Sequence, residues 1–271
     1  MTLEKSLFNF KCRHKYWRHR FIFLKGRISM FALEKQMTPI VANSLGRLST
    51  VLSKPLTKPN AVVALELPVK YRMIDIAIAY ALPDSFNNQN NLLPFKYLNG
   101  YGIGILSLFC VYSKVSIQKM KNELLLEKDI IEKYINKFLR SNLIVQVSKQ
   151  TYKATEWKSL QKLGLISIEL KLCNWKEALE QAEFNLAFSD FSFVALDRSR
   201  ITNSKEIIPF FKEKNIGLLT VSNNGEMEPL FIPKKNLNYD KQLYVAQRIK
   251  IIQDLVLQQK WQTITESESL Q

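Results

Sequence analysis

Histidine is almost missing from this chain. Of 271 residues only His14 and His19 carry an imidazole, and both fall in a basic N-terminal stretch. From residue 20 onward no histidine can serve as the base of a serine or cysteine triad or ligate a His-rich metal site. Any hydrolytic chemistry must therefore run on carboxylates, lysines and a hard cation. Cysteine is scarce too: Cys12, Cys110 and Cys173 are far apart and lack CxxC spacing, which excludes a disulfide framework or a thiolate zinc site and points to a reducing, cytoplasmic location. With 8 glycines and 9 prolines, collagen-like and proline-rich classes are excluded. Long apolar runs are lacking. Ile103–Tyr112 covers about half of the ~20 residues a membrane span needs, and Phe21–Leu24 is too short for a signal-peptide core, so no membrane association is expected. Gly100, Gly102 and Gly104 do not have dinucleotide-fingerprint spacing, and no P-loop lysine follows them.

What the chain has in excess is positive charge, a formal +15. Close to half of it lies at 1–29, where Lys5, Lys11, Arg13, Lys15, Arg18, Arg20, Lys25 and Arg27 stand against Glu4 alone. A surface of this sign favours a polyanionic partner, nucleic acid before membrane headgroups. The arm at 1–29 is expected to be disordered, and Met30 and Met37 are alternative starts.

From Met30 to Leu52 the apolar spacing predicts one amphipathic helix, with Pro39 in its first turns. Two Val/Ile-rich strands follow, Ala61–Leu67 up to a break at Pro68, and Arg72–Leu82. The asparagine-rich run Asn87–Asn91 marks a boundary. Three helices come next, around Leu93–Phe109, over Ile117–Leu126 with Ser116 as its cap, and over Glu127–Ser141. A hairpin of Leu143–Val147 with Thr151–Thr155 completes the order of a winged helix. A plain helical insertion without DNA contact is the alternative reading of this segment. Beyond Gly164, strands Leu165–Leu172, Phe191–Leu196 and Ile216–Val221 alternate with helices Trp175–Phe188, Ile207–Lys214 and Lys241–Gln259, the pattern of an α/β fold with a mixed sheet.

The apolar strand Leu165–Leu172 carries Glu169 and Lys171 on one face, where two charges are costly unless paired or used. Asp75 interrupts another apolar strand and Glu66 interrupts Ala61–Leu67. Glu34 is placed on the first helix. Carboxylates and a lysine converging from adjacent strands suit metal-assisted phosphodiester hydrolysis. The acids would hold Mg²⁺ or Mn²⁺, and the lysine would orient or deprotonate the water and offset phosphate charge.

Asp75 followed by Glu169-x-Lys171 resembles the PD-(D/E)xK, restriction-endonuclease-like nuclease superfamily, with Ile74 where the pattern has proline. The helix Asn174–Ala182 is similar to the Gln-bearing helix behind the ExK strand. Asp190 with Phe193–Leu196, and Ile216–Val221, resemble the closing strands of uncharacterised bacterial members. The resemblance implies a nuclease core formed by 30–91 and 161–271, with a winged-helix-like lobe inserted at 92–160. It implies Asp75 and Glu169 as metal ligands, Glu34 and Glu66 as auxiliary acids, Lys171 as the catalytic lysine, and Gln181 as a supporting or phosphate contact. The expected protein is a Mg²⁺-dependent endonuclease acting on double-stranded DNA, with a homodimer or partner protein left open. The competing expectations are a non-catalytic DNA-binding protein on a degenerate nuclease scaffold and a protein–protein interaction module.

Overall fold

The computed structural model describes residues 31–56, 61–69, 72–81, 93–201 and 203–258. The basic arm at 1–29 and the asparagine-rich run at 87–91 lie outside those residues. Among the described residues no helix is long and apolar enough to cross a membrane.

The chain enters through a 3-10 turn, Glu34–Gln36, and continues as helices α1 (Thr38–Asn43) and α2 (Leu45–Leu52). The single helix expected over 30–52 is therefore broken at Ser44. Pro39 sits in the first turn of α1, where its missing N–H has no intrahelical partner to lose. Met37, Val41, Leu45, Leu48 and Leu52 remain buried on one side. As a correction to the sequence reading, Glu34 lies on the turn ahead of the helices. Strands β1 (Ala61–Val69) and β2 (Arg72–Tyr80) pair antiparallel. Pro68 does not end β1; it pairs with Met73 on a sheet-edge strand, where proline is tolerated.

The chain leaves this sheet at Tyr80 and re-enters at Gly164, two residues that face each other in the ladder. A Cβ at Gly164 would lie 2.0 Å from the Tyr80 ring, so glycine is required at this gateway. The excursion carries a 3-10 turn (Leu93–Phe95), α3 (Gly100–Val111), β3 (Val115–Ser116), α4 (Ile117–Leu124) and α5 (Lys128–Arg140). It closes with the hairpin β4 (Ile144–Ser148) and β5 (Thr151–Ala154), and β5 lies between β3 and β4 in a small sheet. The helix expected from Leu93 starts instead at Gly100, because Asn99 caps it by accepting the Gly102 N–H at 3.1 Å. Ser116 caps α4 in the same way through the Lys119 N–H at 3.2 Å. Ile117, Met120, Ile131, Ile135 and Phe138 bury their apolar faces together with Trp157 in a core of their own.

The remaining elements are β6 (Gly164–Lys171), α6 (Trp175–Asn185), β7 (Phe191–Asp197), α7 (Ser204–Lys214), β8 (Gly217–Val221), β9 (Met227–Phe231) and α8 (Lys241–Gln258). The sheet order is β1-β2-β6-β7-β8-β9, with β6, β7 and β8 mutually parallel and the other pairs antiparallel. This is an α/β fold with a mixed sheet flanked by helices. Strand β9 is absent from the sequence reading, since Met227 alone is buried in a Pro229-containing segment without alternation. Helices α1 and α2 cover one face through contacts with Ile76, Ile168 and Phe193. On the other face α6 and α7 pack Ala178, Ala182 and Phe211 against Val194 and Leu218. Helix α8 serves two cores: Ile251 packs under the sheet with Ala77 and Leu165, while Tyr244, Val245, Ile249 and Ile252 complete the core of the excursion.

Candidate active site

The site begins with an irregularity shared by β1 and β2. Val62, Ala64, Leu67 and Val69 all join one apolar cluster, as do Ile74, Ala77 and Ala79. Strict alternation would split each of these sets between opposite faces, so both strands turn over near Glu66 and Asp75. The ladder omits the pair at these two residues without a change of register. Glu66 takes a φ of 53°, a left-handed conformation that costs a non-glycine residue about 1–2 kcal/mol. The β2–β6 ladder ends at Ile76 and Ile168, so the Leu170 N–H has no partner on β2 and donates instead to Asp75 Oδ2 at 2.7 Å. One carboxylate oxygen of Asp75 thus replaces a missing ladder carbonyl.

On β6, Glu169 is 3% exposed, and Asn185 Nδ2 donates to its Oε1 at 2.6 Å. Lys171 Nζ donates to Glu34 Oε2 at 3.3 Å and lies 3.8 Å from Glu177 Oε1. Glu34 also accepts the Leu172 N–H at 3.3 Å. Its turn is pinned from two sides. Gln36 Oε1 accepts the Ala32 and Leu33 N–H groups, and the Phe31 N–H donates to the buried Asp197 while Arg200 donates to the Phe31 carbonyl. Gln181 is held by its Nε2 donating to Glu177 Oε1 at 3.5 Å, while its own Oε1 is buried without a hydrogen-bond partner. Glu66 is exposed, close enough to Asp75 for its charge to be felt there. The structure thus gathers Glu34, Asp75, Glu169, Lys171 and Gln181 at one end of β2 and β6, with Glu66 at the rim.

Burial, which strips water from the carboxylate, and the Asp75 charge push Glu169 up to about 7, with burial the larger cause. Asp75 is raised by burial as well, and the Leu170 N–H and Lys171 only partly offset this. Burial lowers Lys171, but Glu34 and Glu177 outweigh it and hold the amine above its usual range, so Lys171 is a firm cation. The raised Glu169 keeps its proton in the folded state where the unfolded chain, with its ordinary value of 4.5, has released it. The folded state binds more protons in that window, so this group makes stability fall as pH rises from 4.5 to about 7. Thermal melts across this range should show the decline, and Glu169→Gln should flatten it; an identical slope in the variant would assign the titration to another group.

Three neighbours, Glu177, Asn185 and Arg72, escaped sequence reasoning. Glu177, Gln181 and Asn185 recur every four residues and form one stripe of α6 laid along β6. Only the glutamine was singled out, although the spacing that marks the stripe is visible in the chain. Arg72, whose charge reaches Glu169 and whose guanidinium sits 5.2 Å from the centre of the Phe184 ring, adds a second cation at the β2 entrance. Among the described residues no group of three or more His, Cys, Asp or Glu side chains is arranged to hold a metal ion. No protein-family model, curated protein or solved structure matches the chain.

Proposed function

We propose that this chain is a Mg²⁺-dependent endonuclease of the restriction-endonuclease-like type, acting on double-stranded DNA in the cytoplasm, with the excursion between β2 and β6 holding the duplex as a winged-helix-like lobe. The observation that carries this reading is the meeting of Asp75 and Glu169 on adjacent strands beside the cationic Lys171. They follow one another in the order that the PD-(D/E)xK resemblance implies: Asp strand, ExK strand, then the helix bearing Gln181. The half-buried Asp75, raised by its burial, and the buried Glu169, raised by its burial and by the Asp75 charge, are a hard-oxygen donor pair short of positive charge. Such a pair suits Mg²⁺, which keeps several waters and takes one or two carboxylates with substrate phosphate oxygens. Asp75 and Glu169 would hold the ion, and when bound it would polarise a water and neutralise phosphate charge. Glu34, tied to Lys171, and the exposed Glu66 act as auxiliary acids shaping the local field.

Lys171 acts as an ammonium rather than a base, because Glu34 and Glu177 keep it protonated. It donates to the attacking water or a non-bridging phosphate oxygen and offsets charge that grows during attack. The Leu170 N–H fixes Asp75 and Asn185 fixes Glu169, so neither carboxylate must be ordered when substrate arrives. The unpartnered Gln181 Oε1 can accept from a water.

A second reading, DNA binding without catalysis, is favoured by one observation: Asp75 already has a structural task in accepting the Leu170 N–H. Supercoiled plasmid incubated with the full chain in Mg²⁺ or Mn²⁺ separates the two. Nicking that disappears in Asp75→Asn, which retains an acceptor for Leu170, supports the nuclease. Salt-dependent DNA retention with no nicking by the unaltered chain in either ion supports the second reading.

A further inference from the structure

We propose that the surface around Tyr97 and Tyr101 is a stacking platform for single-stranded nucleic acid. Tyr97 is 70% exposed and Tyr101 52% exposed, the highest values among the described aromatic residues. Exposure alone would mean little, since single exposed apolar residues are ordinary. Here the backbone beneath them is fastened. Phe95 and Leu98, on either side of Tyr97, are buried in the core of the excursion, and Phe95 packs edge-on against Trp157 at 6.1 Å. Gln253 Nε2 on α8 donates to the Lys96 carbonyl at 3.3 Å and also to the Leu98 carbonyl. From α5, Lys137 Nζ donates to the Tyr97 carbonyl at 3.1 Å, and the Tyr134 hydroxyl donates to Asn99 Oδ1, the cap of α3. A segment anchored from two helices therefore presents Tyr97 outward while its neighbours point in.

Lysines lie beside it. Lys96 Nζ lies 5.2 Å from the centre of the Tyr97 ring. Lys137 is at the same loop, and exposed Lys133 is one helical turn before it on α5. The α3 start adds no bulk, since a Cβ at Gly100 would meet nothing within 4 Å. An exposed ring on a fastened backbone, with lysines beside it and a second exposed tyrosine four residues on, matches the chemistry of unpaired bases. A base stacks on the ring and the adjoining phosphate meets the ammonium groups. Duplex DNA hides its base faces, so the platform selects a single-stranded stretch or end. This goes beyond the hydrolytic reading, because binding here needs neither Asp75 nor a metal ion.

The test uses the full chain and a fluorescein-labelled oligothymidylate of about twenty nucleotides in EDTA, with anisotropy as the readout. Tyr97→Ala combined with Tyr101→Ala should weaken binding by about tenfold or more, while Tyr97→Phe, which keeps the ring, should stay within about twofold. Lys96→Gln should instead make the salt dependence shallower, by about 0.7 in the log–log slope, because it removes one phosphate contact. Thermal melts check that these surface changes leave folding intact. Binding by the double alanine variant within about twofold of the unaltered chain overturns the platform, as does an unaltered chain that binds duplex but no oligothymidylate. Plasmid nicking is scored separately, so loss of either proposal leaves the other readable.

Discussion

Lys171→Met should lower Mg²⁺-dependent plasmid nicking by about 10²–10³-fold while leaving DNA affinity in EDTA nearly unchanged. The expectation follows from where the ammonium sits. It is held by Glu34 at 3.3 Å and Glu177 at 3.8 Å, next to Asp75, and it is mostly buried. Removing it takes away the positive charge nearest the two carboxylates at the moment phosphate charge develops. The loss should fall on kcat rather than on binding, since one buried lysine adds little to the basic surface that attracts DNA. A purely structural role predicts something else. Glu34 and Glu177 are each more than two-fifths exposed, so an ion pair with them contributes no more than about 1 kcal/mol. Lys171→Met should therefore melt close to the unaltered chain. Lys171→Arg restores the charge but not the compact single donor, and should recover only part of the activity. Full nicking by Lys171→Met would reduce the lysine to a partner of Glu34 and remove it from the chemistry.

How much of this was legible beforehand depends on whether local pattern or tertiary contact decides each feature. Strands β2, β6, β7 and β8 are buried on both faces, so their apolar runs identified them directly. The charged pair Glu169 and Lys171 stood out for the same reason, as polar residues where the pattern demanded apolar ones. Boundaries set by single side chains were less visible. Asn99 moves the start of α3 by accepting one N–H, and Ser44 divides a segment whose apolar spacing runs on unbroken. Strand β9 is defined by its pairing with β8 rather than by its own composition. In the site, the residues that orient others were hidden. Asn185 lies 16 positions from Glu169, and its role exists only because α6 returns along β6. Glu34 is visible as an acid but its place on a turn, clamped by Asp197 and Arg200 from the far end of β7, is a long-range result.

Asp190→Asn should lower stability by about 3–5 kcal/mol, because it leaves Arg248 as an uncompensated buried cation. Both side chains have 0% exposure, and Arg248 Nη2 donates to Asp190 Oδ2 at 2.9 Å. The guanidinium also donates to the carbonyls of Leu163, Phe188 and Tyr244, which stitches α8 to the gateway of β6 and to the end of α6. Asp190 in turn accepts the Leu165 N–H at 2.7 Å and the Tyr244 hydroxyl at 3.2 Å, with Lys235 Nζ at 3.3 Å. This inventory makes the two partners unequal. Arg248→Met strands no charge, because Asp190 keeps Lys235, Leu165 and Tyr244, and the methionine replaces the arginine stem while leaving three backbone carbonyls without their donor. Its cost should be nearer the ~1–3 kcal/mol of unmade hydrogen bonds. Asparagine at 190 still accepts from Leu165 but offers no charge to Arg248, so urea unfolding should rank Asp190→Asn well below Arg248→Met. Combining the two changes should recover part of the loss, since the stranded cation is then gone. Because α8 completes the core of the excursion as well as the sheet, loosening it should expose both to hydrogen exchange. Equal costs for the two single variants would mean that the hydrogen bonds to backbone, and not the buried charge, hold α8 in place.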